Sequence, residues 1–125
     1  MEKNLQSVKN ILENERNVVD IRNTENRTPL MCAIQYCIKK PEIIKQIMRY
    51  QPNKNLIDNN KFSALHLACL YNNFEIIPKI ITEENVNIKN IDGNTPLMIA
   101  IKKNHYNCVN KLLECDIYIN VNIPD

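Results

Sequence analysis

Apolar positions along the chain fall at helical spacing, and the clusters recur. Leu30 and Ala33, Leu65 and Ala68, and Leu97 and Ala100 each stand three residues apart, a separation that puts both side chains on one helix face. Each pair opens a short apolar run beginning just after a hydroxyl residue: Thr28-Pro29-Leu30-Met31-Cys32-Ala33-Ile34, Ser63-Ala64-Leu65-His66-Leu67-Ala68-Cys69 and Thr95-Pro96-Leu97-Met98-Ile99-Ala100-Ile101. The hydroxyls lie 35 and 32 residues apart. Thr and Ser are strong N-caps, because the side-chain oxygen accepts an orphan backbone N–H, and proline suits the first helical turn. The pattern therefore predicts three short first helices, each starting at a hydroxyl.

A second apolar stripe follows each first helix. Glu75-Ile76-Ile77 and Asn107-Cys108-Val109 begin twelve residues after their hydroxyls, whereas Glu42-Ile43-Ile44 begins fourteen after Thr28. Two extra residues are thus expected in the first inter-helix turn, near Ile38 to Lys40. The second-helix stripes are Ile43, Ile44 and Ile47; Ile76, Ile77 and Ile80; and Val109, Leu112 and Leu113. Pro78 lies about five residues into its helix, where a missing N–H should bend it. Asn72-Asn73 and Asn104-His105 fall between the helices, and asparagine tolerates a left-handed backbone better than most residues.

The stretches ahead of the hydroxyls repeat too. Val19-Asp20-Ile21 precedes Thr28 and Val86-Asn87-Ile88 precedes Thr95 by the same nine residues, Asn55-Leu56 holds the corresponding place before Ser63, and Ile119-Asn120-Val121 recurs near the end. With these blocks at a period near 33 residues, the sequence resembles the ankyrin repeat over nearly its whole length. The motif T-P-L-H-x-A carries the likeness, although Met31 and Met98 stand where the family has histidine and only Ser63 and His66 keep the hydroxyl–imidazole pair. The resemblance implies an all-α helix-turn-helix repeat solenoid with short hairpin connections. Its expected divisions are a capping half-repeat over 1–23 and repeats over 24–57, 58–89 and 90–125. No such repeat buries its apolar faces alone; stacking does so.

The ends are less regular. Leu5, Val8, Ile11 and Leu12 lie on one face of a predicted N-terminal helix whose polar face suits a cap. Asp125 aligns with Asp92, three residues before a hydroxyl that does not follow. Either the third repeat caps itself or the array continues, so a monomer or weak self-association through the C-terminal repeat is expected.

Composition narrows the chemistry. A net charge of +2 with interspersed signs gives no concentrated basic stripe of the kind nucleic-acid binding needs. A single glycine, Gly93, excludes a glycine-rich phosphate loop and falls instead at a hairpin turn, where Asn26 and Lys61 replace it in the other copies. The five cysteines form no regular framework, and no signal-peptide pattern or transmembrane run is present, so an intracellular, cytoplasmic or nuclear setting is expected. His66 with Cys69, and Cys32 with Cys37, are too few and too scattered for a zinc site. No acid, base and nucleophile converge, so neither enzyme activity nor any cofactor is expected.

What remains is binding. The resemblance implies a protein–protein interaction module (adaptor, inhibitor or effector) that uses a concave face of hairpin tips and first helices; the alternative is a regulatory or targeting segment of a larger enzyme or channel. Family contact positions carried onto this chain point to Tyr36, Ile57, Phe62, Leu70 and Tyr71, with Arg22, Arg27, Lys102 and Lys103 as a basic rim for an unknown protein partner bearing acidic residues. Central aromatics within a polar rim are typical of binding hot spots. Binding is favoured over the alternative, in which Phe62 and Leu70 tuck against neighbouring hairpins and merely complete the core.

Overall fold

The computed structural model describes residues 19–117 and Ile119. The predicted N-terminal helix with Leu5, Val8, Ile11 and Leu12, and the terminal Asn120, Val121 and Asp125, lie outside the described residues.

Among the described residues, three helix pairs follow one another. The first is α1 (Pro29–Tyr36) and α2 (Pro41–Arg49). The second is α3 (Ala64–Leu70), then a 3-10 turn (Phe74–Ile76) running directly into α4 (Ile77–Ile80). The third is α5 (Pro96–Lys102) and α6 (Tyr106–Glu114). The hydroxyl caps act as the sequence suggests. Thr28, Ser63 and Thr95 each accept, on the side-chain oxygen, the N–H three residues on, at 3.3 Å in all three cases. Helix α3 packs between α1 and α5, and α4 packs against α6, so the first helices form one layer and the second helices another. Leu30, Ile34, Ile47, Leu65, Leu67, Ile77, Ile80 and Leu112 fill the space between them and are fully buried. Each such side chain stabilises the stack by roughly 1.5–3 kcal/mol.

Two local expectations are corrected. The extra pair of residues in the first repeat is split: α1 has eight residues where α3 and α5 have seven, and one residue is added to the connection. Pro78 does not bend an α-helix in mid-course. The preceding turn is 3-10, and Pro78 sits in the first turn of α4, where its missing N–H would have had no α-helical partner anyway.

The turns use left-handed backbone, mostly at asparagine or glycine. Asn72 (φ 60°) and Asn104 (φ 59°) turn the chain between helices, while Asn26 (φ 66°), Lys61 (φ 60°) and Gly93 (φ 80°) occupy the hairpin tips. Asn73 and His105 then join consecutive repeats. The Asn73 side chain donates to the Ile34 carbonyl at 3.5 Å, and His105 Nδ1 lies 2.7 Å from the Cys69 carbonyl. Carbonyls near the ends of α1 and α3, which lack helical partners, thereby gain one from the next repeat.

Candidate functional site

The hairpin face is assembled from parts that recur with the period. Five residues before each hydroxyl stands Asn23, Asp58 or Asn90. The Oδ1 of each accepts two backbone N–H groups of its own hairpin: Glu25 (3.0 Å) and Arg27 (2.9 Å), Asn60 (2.8 Å) and Phe62 (2.9 Å), Asp92 and Asn94 (both 3.0 Å). Asparagine and aspartate can fold a turn around their own side chain in this way. Successive hairpins are also tied together, since the Asn59 N–H donates to the Glu25 carbonyl and the Ile91 N–H to the Asn60 carbonyl, both at 3.0 Å. The tips therefore form one row. Their shared position five residues before the hydroxyl was readable in the sequence and is absent from the predicted contact set.

Beneath the row, His66 is braced on both ring nitrogens. Nδ1 lies 2.8 Å from Ser63 Oγ and accepts the Ser63 backbone N–H at 3.2 Å, while Nε2 is 3.1 Å from the Asn94 carbonyl of the third hairpin. A carbonyl only accepts, so the proton sits on Nε2 and the ring is neutral. Burial pulls this imidazole down to about 4, although the Asn94 and Ile88 carbonyls and Asp58 act against the fall. Phe62 stands edge-on to the ring, with centroids 5.8 Å apart. Nothing in this arrangement presents a reactive nitrogen to solvent.

The predicted contact residues separate into three groups. Seven residues past each cap stand Gln35, Leu70 and Lys102, and eight past stand Tyr36, Tyr71 and Lys103. Along the stack, this ladder runs from polar and aromatic, through apolar, to basic. Tyr36 is 75% exposed, and Lys102 and Lys103 are also exposed. Phe62, Leu70 and Tyr71 are half-buried and pack against the core, so each serves both the interior and the surface. Ile57 is half-buried and pairs antiparallel with Ser63; the exposed Arg22 reaches its carbonyl at 3.5 Å. Arg27 is engaged internally. Its Nε donates to buried Asp58 at 3.2 Å and its Nη1 to Gln35, with Glu25 3.9 Å away. It braces the first hairpin against the second.

Four of the nine residues come together. Phe62, Leu70, Lys102 and Lys103, with Asn90, Asp92, Asn94 and Ile99, line an open groove of about 230 Å³ between the second and third repeats. Its floor is apolar, its helix side basic, and its hairpin side carries Asp92. Lys102 Nζ donates to Asn94 Oδ1 at 2.7 Å, which steadies one lysine at the rim. A second notch, about 170 Å³, opens elsewhere, among Ile38, Pro41, Ile44 and Ile76, and involves none of the predicted residues.

The cysteine candidates lie elsewhere. Cys69 and Cys108 are both fully buried and meet across α3 and α6; the contact with Cys108 together with burial pushes the Cys69 thiol well up. Cys32, Cys37 and Cys115 are half-buried. Among the described residues, no group of three or more His, Cys, Asp or Glu side chains could hold a metal ion. No helix among them is long and apolar enough to cross a membrane.

Comparison with known proteins agrees with this geometry. The family model described as ankyrin repeats (3 copies) matches residues 36–125. The chain is 25% identical over 122 residues to the nuclear factor NF-kappa-B p105 subunit of Gallus gallus, covering 90% of this chain and 12% of that protein. It is 34% identical over 79 residues to a putative palmitoyltransferase ZDHHC13 of Danio rerio, covering 62% of this chain and again 12% of the relative. A putative ankyrin repeat protein of Rickettsia bellii is 34% identical over 59 residues, 47% of this chain and 36% of that protein. The chain thus spans only a small part of these relatives, and what it shares with them is the repeat. With three helix pairs stacked at the repeat period, capped by Thr28, Ser63 and Thr95 and matched by the family model over residues 36–125, this chain belongs to the ankyrin repeat family, whose repeats are protein–protein interaction modules.

Proposed function

We propose that this chain is a recognition module rather than a catalyst, binding a partner protein on its concave face across the second and third repeats. The observation that carries this reading is the groove where Phe62 and Leu70 meet Lys102 and Lys103. It offers an apolar floor beside two exposed cations, a combination the fold does not require for its own stability. Arg22 and Tyr36 extend the same face toward the first repeat. The partner presents carboxylates to Lys102, Lys103 and Arg22; Arg27, held by Asp58, contributes order rather than contact. Acting alone, the module would serve as an adaptor, inhibitor or effector that occupies or recruits its target.

The test is comparative capture. Wild-type chain and a Leu70→Ser variant are immobilised after both show the same helical circular dichroism, and the proteins each retains are compared by mass spectrometry. A partner retained by the wild type and lost from the variant supports the reading. Equal retention of every partner removes the groove from consideration.

A second reading has its own support. Ile101 is 57% exposed although its counterparts Ile34 and Cys69 are fully buried by the next repeat. A further helix pair, from a longer array or a second copy, would cover it, as expected of repeats serving a larger enzyme or channel. Sedimentation across concentrations, with wild type and Ile101→Asp, separates self-association from a monomer.

A further inference from the structure

Resting on the concave-face reading, we propose that the groove between the second and third repeats recognises an extended peptide segment in which a large apolar residue stands two positions from an Asp or Glu.

The apolar position follows from the size and lining of the groove. An enclosed apolar cavity of about 150 Å³ is enough to admit benzene, and this groove measures about 230 Å³ with Phe62, Leu70 and Ile99 on its apolar side. One Leu- or Phe-sized side chain fits, and its burial removes the apolar surface of Phe62 and Leu70 that the core leaves uncovered. Aspartate or lysine at that position would be desolvated without a partner on the apolar side.

The acidic position follows from the charge gradient. Lys102 and Lys103 stand on the α5 side, while Asp92 stands at the hairpin tip. A carboxylate is therefore drawn to the helix side and repelled from the hairpin side. This places the acidic side chain on the helix side of the apolar one.

The spacing follows from geometry. Leu70 and Lys102 are the same rung on consecutive repeats, and packed neighbouring helices lie about 8–10 Å apart. In an extended strand, residues i and i+2 share a face and stand about 6.7 Å apart. The flexible lysine stem closes the remaining few ångströms. A carboxylate at i+1 or i+3 points away from the surface. A helical segment is less suited, because its same-face neighbours at i+3 and i+4 rise along a cylinder about 10 Å across, too wide for the groove to hold more than its tip.

The experiment is selection from a phage-displayed library of random 12-residue peptides against the whole purified chain. Enriched peptides are then measured by fluorescence polarisation on wild type, Leu70→Asp, and Lys102→Glu/Lys103→Glu. Circular dichroism of each variant confirms the fold. The expected result is enrichment of an apolar residue with Asp or Glu two positions away. Binding should fall about tenfold or more with the lysine reversal, in line with loss of a charge-assisted contact, and recover when the peptide's acid is replaced by Lys. Peptides that lose binding with Leu70→Asp but ignore the lysine reversal would overturn the acidic register and leave the groove reading standing. Peptides indifferent to Leu70→Asp, or no enrichment at all, would overturn both.

Discussion

The second and third repeats are built from nearly the same plan and end in different conditions. Cys69 and Ile101 occupy the same position on α3 and α5, yet Cys69 has no exposed surface and Ile101 has 57%. Isoleucine is the more apolar of the two, so side-chain preference does not explain the difference. What differs is the neighbour. The third repeat lies on Cys69, and His105 reaches back to its carbonyl, whereas the Ile101 carbonyl accepts the Asn104 N–H of its own turn at 3.1 Å. In a stacked array, a position is buried by the next unit rather than by its own helix.

The most severe way to break this comparison is to place a charge at the two equivalent sites. Cys69→Asp leaves an uncompensated buried carboxylate and should cost about 3–5 kcal/mol, shifting the urea midpoint far down or preventing folding. Ile101→Asp should change stability by no more than about 0.5 kcal/mol. Equal effects in urea titrations would show that both faces are covered alike.

The next contrast is His66 against Met98, its counterpart in the third repeat. The imidazole titrates near 6.5 in an unfolded chain and about 4 in the folded one. Between those values the unfolded state binds the extra proton, so acidification favours unfolding. The stability that neutral His66 lends is complete above pH 6.5 and is lost as pH falls toward 4, by about 3 kcal/mol in all. His66→Met copies the third repeat and should remove this component. Urea midpoints measured from pH 7 to 4 on both proteins isolate it, because the carboxylates titrate in each.

A smaller effect is expected from Asp58→Asn, which gives the second hairpin the residue the third has in Asn90. The two backbone N–H groups keep their acceptor, but the amide nitrogen that replaces Oδ2 faces the Arg27 Nε–H donor to donor, and the Arg27 bond is lost. The loss should be about 2 kcal/mol, the contribution of a hydrogen bond between charged groups, and thermal unfolding would register it. The reverse change, Asn90→Asp, creates a half-satisfied charge and should not stabilise.

The smallest effect on stability, and a decisive one for binding, comes from copying Leu70-Tyr71 into the third repeat as Lys102→Leu/Lys103→Tyr. Both lysines are exposed, so the fold should move by about 0.5 kcal/mol or less. Any partner held through carboxylates should be lost, as read by the capture comparison.

Much of this was legible in the residues because the repeat supplies its own internal controls. Helix starts could be placed at Thr28, Ser63 and Thr95 since a cap is a local device, involving one side chain and an N–H three residues on. The left-handed turns at Asn72, Asn104 and Gly93 were likewise local. Pro78 was misjudged because the 3-10 geometry before it depends on packing against neighbouring helices, which no five-residue window contains. Arg27 was counted as part of the rim because its partner Asp58 is 31 residues away, and sequence spacing does not reveal which charges meet across hairpins. The groove was legible only in part: Phe62, Leu70, Lys102 and Lys103 were named, but not that they share one concavity apart from Tyr36 and Arg22.

By itself, then, the sequence determined the period, the helix caps, the turn residues and the apolar stripes, because each of these is set by interactions within a few residues. Tertiary structure decided which stripes are covered, which charges are committed to bracing and where the second and third repeats part to leave a groove. Those outcomes depend on surfaces brought together from positions some thirty residues apart, and stacking is what brings them there.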